Sequence, residues 1–165
     1  AAAAAVGARG STPLHFAALR RGPHGVVRAL LKAHPPAAKA VNEYGSLPLH
    51  LAALNGAPAE CVQSLLKAYP AGASRADNYG NLPLHFAVMM GAHVSVIEGL
   101  LQAYPEGVTV SDRAGKTPAA LATGEAVRAL LQQAQAAQQD RHRPRRAAVP
   151  AGGRDTKTAG TNVSW

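Results

Sequence analysis

The tripeptide Pro-Leu-His occurs three times in this 165-residue chain, at 13–15, 48–50 and 83–85, with a constant spacing of 35 residues. Other positions keep the same period. Ala17, Ala52 and Ala87 do so, as do the pairs Leu30-Leu31, Leu65-Leu66 and Leu100-Leu101. Pro35, Pro70 and Pro105 close each unit, and Gly10, Gly45, Gly80 and Gly115 open it. A fourth unit starts at Gly115-Lys116-Thr117-Pro118 and then runs five residues short before Leu130-Leu131. Self-similarity at such a period implies a stack of like units, none of which buries its apolar face alone.

Each unit reads as two helices and a connector. Proline suits the first helical position, where its missing N–H would have no partner. The first helix is expected at about 13–20, 48–55 and 83–90, ending at Gly56 or Gly91 as a helix-terminating glycine would. In the first copy Arg21 takes that place and Gly22 follows. The second helix is expected at about 25–33, 60–68 and 95–103, stopping before Pro35, Pro70 or Pro105, because the residue ahead of proline disfavours the α region. The residues after it, such as 71–79, read as an extended finger bent near Asp77-Asn78-Tyr79-Gly80. Composition agrees with thin helical layers: Ala supplies 37 positions, and aromatics are 4% of residues.

The motifs Gly10-Ser11-Thr12-Pro13-Leu14-His15-Phe16-Ala17-Ala18, Gly45-Ser46-Leu47-Pro48-Leu49-His50-Leu51-Ala52-Ala53 and Asp77-Asn78-Tyr79-Gly80-Asn81-Leu82-Pro83-Leu84-His85-Phe86-Ala87 resemble the ankyrin repeat family. The resemblance covers about three quarters of the chain and implies an all-α, ankyrin-type α-solenoid of helix–turn–helix repeats with extended finger loops. The units fall at 10–44, 45–79 and 80–114. A partial finger or N-terminal extension occupies 1–9, and a partial fourth repeat with a capping helix occupies 115–139. Two departures stand out. The unit has 35 residues where the family has ~33. Leu47 and Leu82 also replace the family's Thr ahead of the proline, at the expected N-cap, where loss of the hydroxyl costs about 0.5–2 kcal/mol. Packing of the Leu on the neighbouring repeat is expected to recover part of this.

His15, His50 and His85 read as structural, together with Pro13, Pro48 and Pro83. Stacked repeats hold equivalent residues about 8–10 Å apart, whereas zinc needs its nitrogens at about 2.0–2.1 Å from one point. No metal site follows. The family resemblance implies that this His braces its turn by hydrogen bonds. Cys61 is the chain's one cysteine and falls on the apolar face of a second helix, in the slot of Val26 and Val96; it reads as core.

The resemblance also implies docking of a protein partner on the concave face. Carried over by position, the finger-tip candidates are Glu43, Tyr44, Ser46, Asn78, Tyr79, Asn81, Arg113 and Lys116. The candidates on the ends of the first helices are Leu54, Asn55, Met89 and Met90, with Leu19 and Arg20 in the first copy. Tyr44 and Tyr79 stand one period apart and form a row, with Leu54 and Met89 beneath. Apolar residues at helical spacing are most often core, so sealing between repeats is the competing role for the Leu and Met positions.

The chain carries a net charge of +8. Residues 1–44 hold six basic and one acidic residue, and 140–165 six basic and two acidic; residues 45–139 are near neutral, with five basic and six acidic. The segment 140–165 is expected to be a disordered basic tail. Its cluster Arg141, Arg143, Arg145 and Arg146 offers an alternative function, nucleic-acid or anionic-surface binding. A second alternative is a structural segment of a longer ankyrin array. No phosphate-binding Gly-rich loop, His-Glu-x-x-His or Gly-x-Ser-x-Gly motif is present. The reading is therefore a non-catalytic protein-binding monomer without cofactor, intracellular in the cytoplasm or nucleus, and without a membrane span.

Overall fold

The computed structural model describes residues 7–142. Helices α1 (Pro13–Leu19) and α2 (His24–Ala33) form the first pair, α3 (Pro48–Leu54) and α4 (Ala59–Ala68) the second, and α5 (Pro83–Met89) and α6 (Val94–Ala103) the third. A last pair, α7 (Pro118–Leu121) and α8 (Glu125–His142), closes the stack. α1, α3, α5 and α7 pack in sequence as an inner layer, and α2, α4 and α6 pack as an outer one. Leu14, Leu49 and Leu84 of the inner helices and Val27, Val62 and Ile97 of the outer helices are buried between the layers. Ala52, Ala53 and Ala87 are fully buried, and their small side chains let the inner helices approach closely.

The helices begin and end for local reasons. Proline occupies the first position of α1, α3, α5 and α7, behind extended N-cap residues Thr12, Leu47, Leu82 and Thr117. α3 and α5 end in a left-handed residue, Gly56 (φ 60°) and Gly91 (φ 62°). The next residue donates back into the helix, Ala57 N–H to the Ala52 carbonyl at 2.9 Å and Ala92 N–H to Ala87 at 2.8 Å, the pattern of a Schellman close. Arg21 accepts the same conformation at φ 50°, which costs roughly 1 kcal/mol relative to glycine.

Two expectations are corrected. First, the segment after each second helix is not extended from its start. A 3-10 turn occupies Pro35–Lys39, Pro70–Ser74 and Pro105–Val108. Proline presets φ for this turn, and Ala37, Gly72 and Gly107 donate to the carbonyls of His34, Tyr69 and Tyr104 at 3.0–3.1 Å. Second, the capping helix continues through His142, past the boundary at 139, because no Pro or Gly interrupts the sequence there. Its inward face is Val127, Leu130, Leu131, Ala134 and Gln138, with Ala126 exposed. Residues 1–6 of the expected partial finger or extension at 1–9, and the tail beyond 142, lie outside the described residues.

Leu47 and Leu82 also approach a turn inside their own repeat. Both are buried, and each lies beside the 3-10 turn of its own repeat. A Cβ on Gly72 would lie 3.4 Å from Leu47 and 3.1 Å from the Tyr69 ring, and one on Gly107 would lie 3.4 Å from Leu82 and 3.0 Å from the Tyr104 ring. The first repeat holds Thr12, His34 and Ala37 at these three positions. The larger cap residue and ring thus occur with a glycine, and the smaller pair with an alanine. This exchange of volume keeps packing constant across the three repeats.

Candidate partner-binding face

The fingers are pinned by one carboxylate or amide per repeat. Asn42 Oδ1 accepts from the N–H groups of Tyr44 and Ser46, both at 3.0 Å. Asp77 Oδ1 accepts from Tyr79 (2.9 Å) and Asn81 (2.8 Å), and Asp112 Oδ1 from Ala114 and Lys116, both at 2.8 Å. The turn they hold needs a left-handed residue at Gly45, Gly80 and Gly115, with φ between 71° and 81°. Adjacent fingers are joined by single backbone bonds: Glu43 N–H to Arg9, Asn78 N–H to Tyr44 and Arg113 N–H to Tyr79, at 2.9–3.0 Å. These pins were absent from the sequence-derived site, although Asn/Asp-x-x-Gly recurs at 42–45, 77–80 and 112–115.

The histidines tie finger to helix. In each repeat Nδ1 accepts the N–H of its own N-cap residue: Thr12 at 3.1 Å, Leu47 at 3.0 Å and Leu82 at 3.1 Å. This bond is the same with Thr or Leu at the cap, and the Thr12 side chain itself makes no cap bond to the helix. In the first repeat the Thr12 hydroxyl lies 2.9 Å from the same nitrogen. Because Nδ1 accepts, Nε2 carries the proton and donates forward, from His15 to the Ser46 carbonyl (3.0 Å) and from His50 to Asn81 (3.1 Å). His85 faces the Lys116 carbonyl in the same register, yet its Nε2 is buried without a hydrogen bond among the described residues. Burial holds all three rings below the ordinary histidine value. His50 falls to about 4, against the opposing Asp77 charge and Asn81 carbonyl. Cys61 is buried with Sγ 3.8 Å from the Gly22 carbonyl, and burial raises its thiol, followed by the Glu60 charge. Such a thiol is inert packing.

Between the fingers and the inner helices lies a cleft of about 500 Å³, lined by Tyr44 and Tyr79 above and by Phe16, Leu19, Leu51, Leu54 and Phe86 along the helices. Arg9 closes one end, donating to the Tyr44 hydroxyl, with its guanidinium carbon 5.8 Å from the ring centroid. Tyr79 is the most open of these side chains at 59% exposure. Phe16, Leu51 and Phe86 were not among the sequence-derived site residues, although they follow each His at the repeat period. Their inward-facing motif conceals that each helix turns this residue toward the fingers.

The remaining candidates sort by exposure. Glu43, Asn78, Arg113 and Lys116 are exposed on the tips, and Asn78 Nδ2 also donates to the Glu43 carbonyl at 2.9 Å. Asn81 is half-buried and lines the cleft. Ser46 is buried at the base of its finger, its N–H and carbonyl both engaged. Leu54 and Asn55 are half-buried; Asn55 braces the first repeat, donating to the Leu19 carbonyl while its own carbonyl accepts from Arg21. Met89 and Met90 are exposed at the end of α5, outside the cleft lining. Arg141 is exposed on the last turn of α8, and Arg143, Arg145 and Arg146 lie outside the described residues.

Residues 2–74 match the family model of ankyrin repeats, three copies. No curated protein matches the chain. The structure carries the same helix pair, proline turn and finger onward through residues 80–114. From period, capping, braces and family match together, residues 2–74 are ankyrin repeats, and the units that follow keep the same pattern.

Proposed function

We propose that the concave cleft binds a protein partner, without catalysis, by taking up apolar side chains between the finger tyrosines and the inner helices. Ankyrin repeats are in general protein–protein interaction modules and are typically not enzymes. The observation that carries the reading is the cleft itself. Five apolar side chains of three successive inner helices, with two tyrosines over them, form an open apolar strip on a frame whose fingers are fixed by hydrogen bonds. Exposed strips of this kind mark interaction sites, and a rigid frame loses little conformational entropy on binding. The test is partner binding by the full chain and by Tyr79→Ala. Loss of binding at constant stability supports the cleft; unchanged binding, with loss on removal of residues 143–165, transfers the function to the basic tail. Among the described residues no helix is long and apolar enough to cross a membrane.

The reading as a segment of a longer array draws on the outward face of the first repeat. Val26 is 45% exposed, whereas Cys61 and Val96 in the same slot are buried by the preceding repeat. A surface groove of about 500 Å³ there is lined by Pro13, Phe16, Ala17 and Val26. A transcript encoding further 35-residue units ahead of Ala1 supports this reading, and a start codon directly ahead of Ala1 overturns it.

A further inference from the structure

The outer face, away from the fingers, carries a cleft of about 780 Å³ between α2 and α4. Its polar lining is His24, Arg28, Lys32, Ser64 and Lys67, and no acidic side chain lines it. We propose that this cleft binds a ligand bearing two or more phosphate groups.

The lining departs from the repeat in one direction. At the position of Arg28 the later repeats have Gln63 and Glu98, and at the position of His24 they have Ala59 and Val94. Ser64 stands where the other repeats have Ala29 and Gly99, and Lys32 and Lys67 give way to Gln102 in the third. The fold requires none of these polar groups, since α6 keeps the same length and packing without them. A lysine near a helix C-terminus complements the helix dipole, but α6 has no basic residue in its last turn. That role alone therefore does not account for the pair.

The donors also converge. Arg28 and Lys32 lie one turn apart on the same face of α2, and Lys67 is the counterpart of Lys32 on the adjoining helix. All three are exposed, and none makes an ion pair or side-chain hydrogen bond among the described residues. His24 Nε2 and Ser64 Oγ meet across the cleft at 2.9 Å, which places a hydroxyl among the cations. Lys39, stacked 5.6 Å over the Tyr69 ring, adds positive charge beside the end of α4. Equivalent positions on packed helices are about 8–10 Å apart, a spacing bridged by two phosphate groups on one molecule. The guanidinium fork matches phosphate oxygens in pairs.

The experiment uses the full chain and two probes, inorganic pyrophosphate by calorimetry and phosphatidylcholine vesicles doped with a phosphatidylinositol bisphosphate by flotation. Binding of pyrophosphate assigns a free phosphate ligand, and binding of the vesicles alone assigns a lipid headgroup; both support the site. Lys32→Gln/Lys67→Gln and Arg28→Gln each weaken binding by about tenfold or more, the scale of losing a charge-assisted contact, with the melting temperature unchanged. Substitution of Arg143, Arg145 and Arg146 by Gln leaves it in place. The proposal is overturned if neither probe binds or if the cleft variants bind as the parent does. It is also overturned if the tail variant alone loses binding, or if a glutamate oligomer binds as tightly as pyrophosphate.

Discussion

At the junction between the second and third repeats, His50 holds its own helix cap through Nδ1 and reaches forward through Nε2 to the Asn81 carbonyl at 3.1 Å. At the junction between the third repeat and the shortened fourth, His85 makes the same cap and faces the Lys116 carbonyl, but its Nε2 does not reach hydrogen-bond geometry among the described residues. The repeats that follow the two histidines also differ. Asn81 belongs to a finger followed by the seven residues of α5, itself capped by a histidine. Lys116 belongs to a finger followed by the four residues of α7, which has Ala120 in place of the histidine. The forward brace thus coincides with a complete neighbour, and the end of the stack carries a buried polar atom instead.

Breaking the two histidines separately is the largest test of this contrast. His50→Ala leaves the Leu47 N–H and the Asn81 carbonyl without partners and opens a cavity, an expected loss of about 3 kcal/mol in urea unfolding. His85→Ala gives up a cap but no forward bond, and its loss is expected to be smaller by about 1 kcal/mol. Equal losses would mean that the forward bond contributes nothing.

Acid probes the same bonds without substitution. His50 has a folded value near 4 and an ordinary unfolded value of 6.5. The unfolded chain therefore binds its proton first on acidification. The stability tied to the neutral ring is complete above pH 6.5 and is lost as pH falls from there toward 4, on the order of 3 kcal/mol for this residue. His15 and His85 act in the same direction. In a pH series of melting curves, His50→Gln should flatten this slope more than any change at the exposed His93.

The smallest effect sharpens a second contrast, between the first repeat and the two that follow. Gly72→Ala places a methyl 3.1 Å from Tyr69 and 3.4 Å from Leu47 and should cost about 1–3 kcal/mol by overpacking. Adding Leu47→Thr should restore part of that. Ala37→Gly in the first repeat should cost less than about 1 kcal/mol. Thermal unfolding of the four proteins reads these differences directly.

The repeat frame was legible because its signals are local and periodic: Pro at each helix start, the Leu pairs, and Pro again at each close. The 3-10 turns were hidden because a short run of Pro, Ala and Gly carries no hydrophobic period. Leu47 and Leu82 looked like lost caps, since the sequence does not show that the histidine three residues later accepts the cap residue's own N–H whether or not a hydroxyl is present. For the cleft, Tyr44 and Tyr79 were visible as a row at the repeat period, while Phe16, Leu51 and Phe86 were absorbed into the motif that defines the helix. Ser46 differed in the other direction: adjacent to an exposed tip in sequence, it is folded under by the Asn42 pin. Residues one step apart on a tight turn face opposite environments, and only the turn geometry decides which.

The concave cleft is the proposed partner-binding surface. The most direct measurement is the dissociation constant of the purified partner, at two salt concentrations, for the full chain, for Tyr79→Ala, and for the chain ending at His142. The expected result is a loss of about tenfold or more for Tyr79→Ala, as for an exposed aromatic at an interface centre, with weak salt dependence and no effect of removing the tail. Unchanged affinity for Tyr79→Ala, together with loss on truncation and a steep fall with salt, would contradict it.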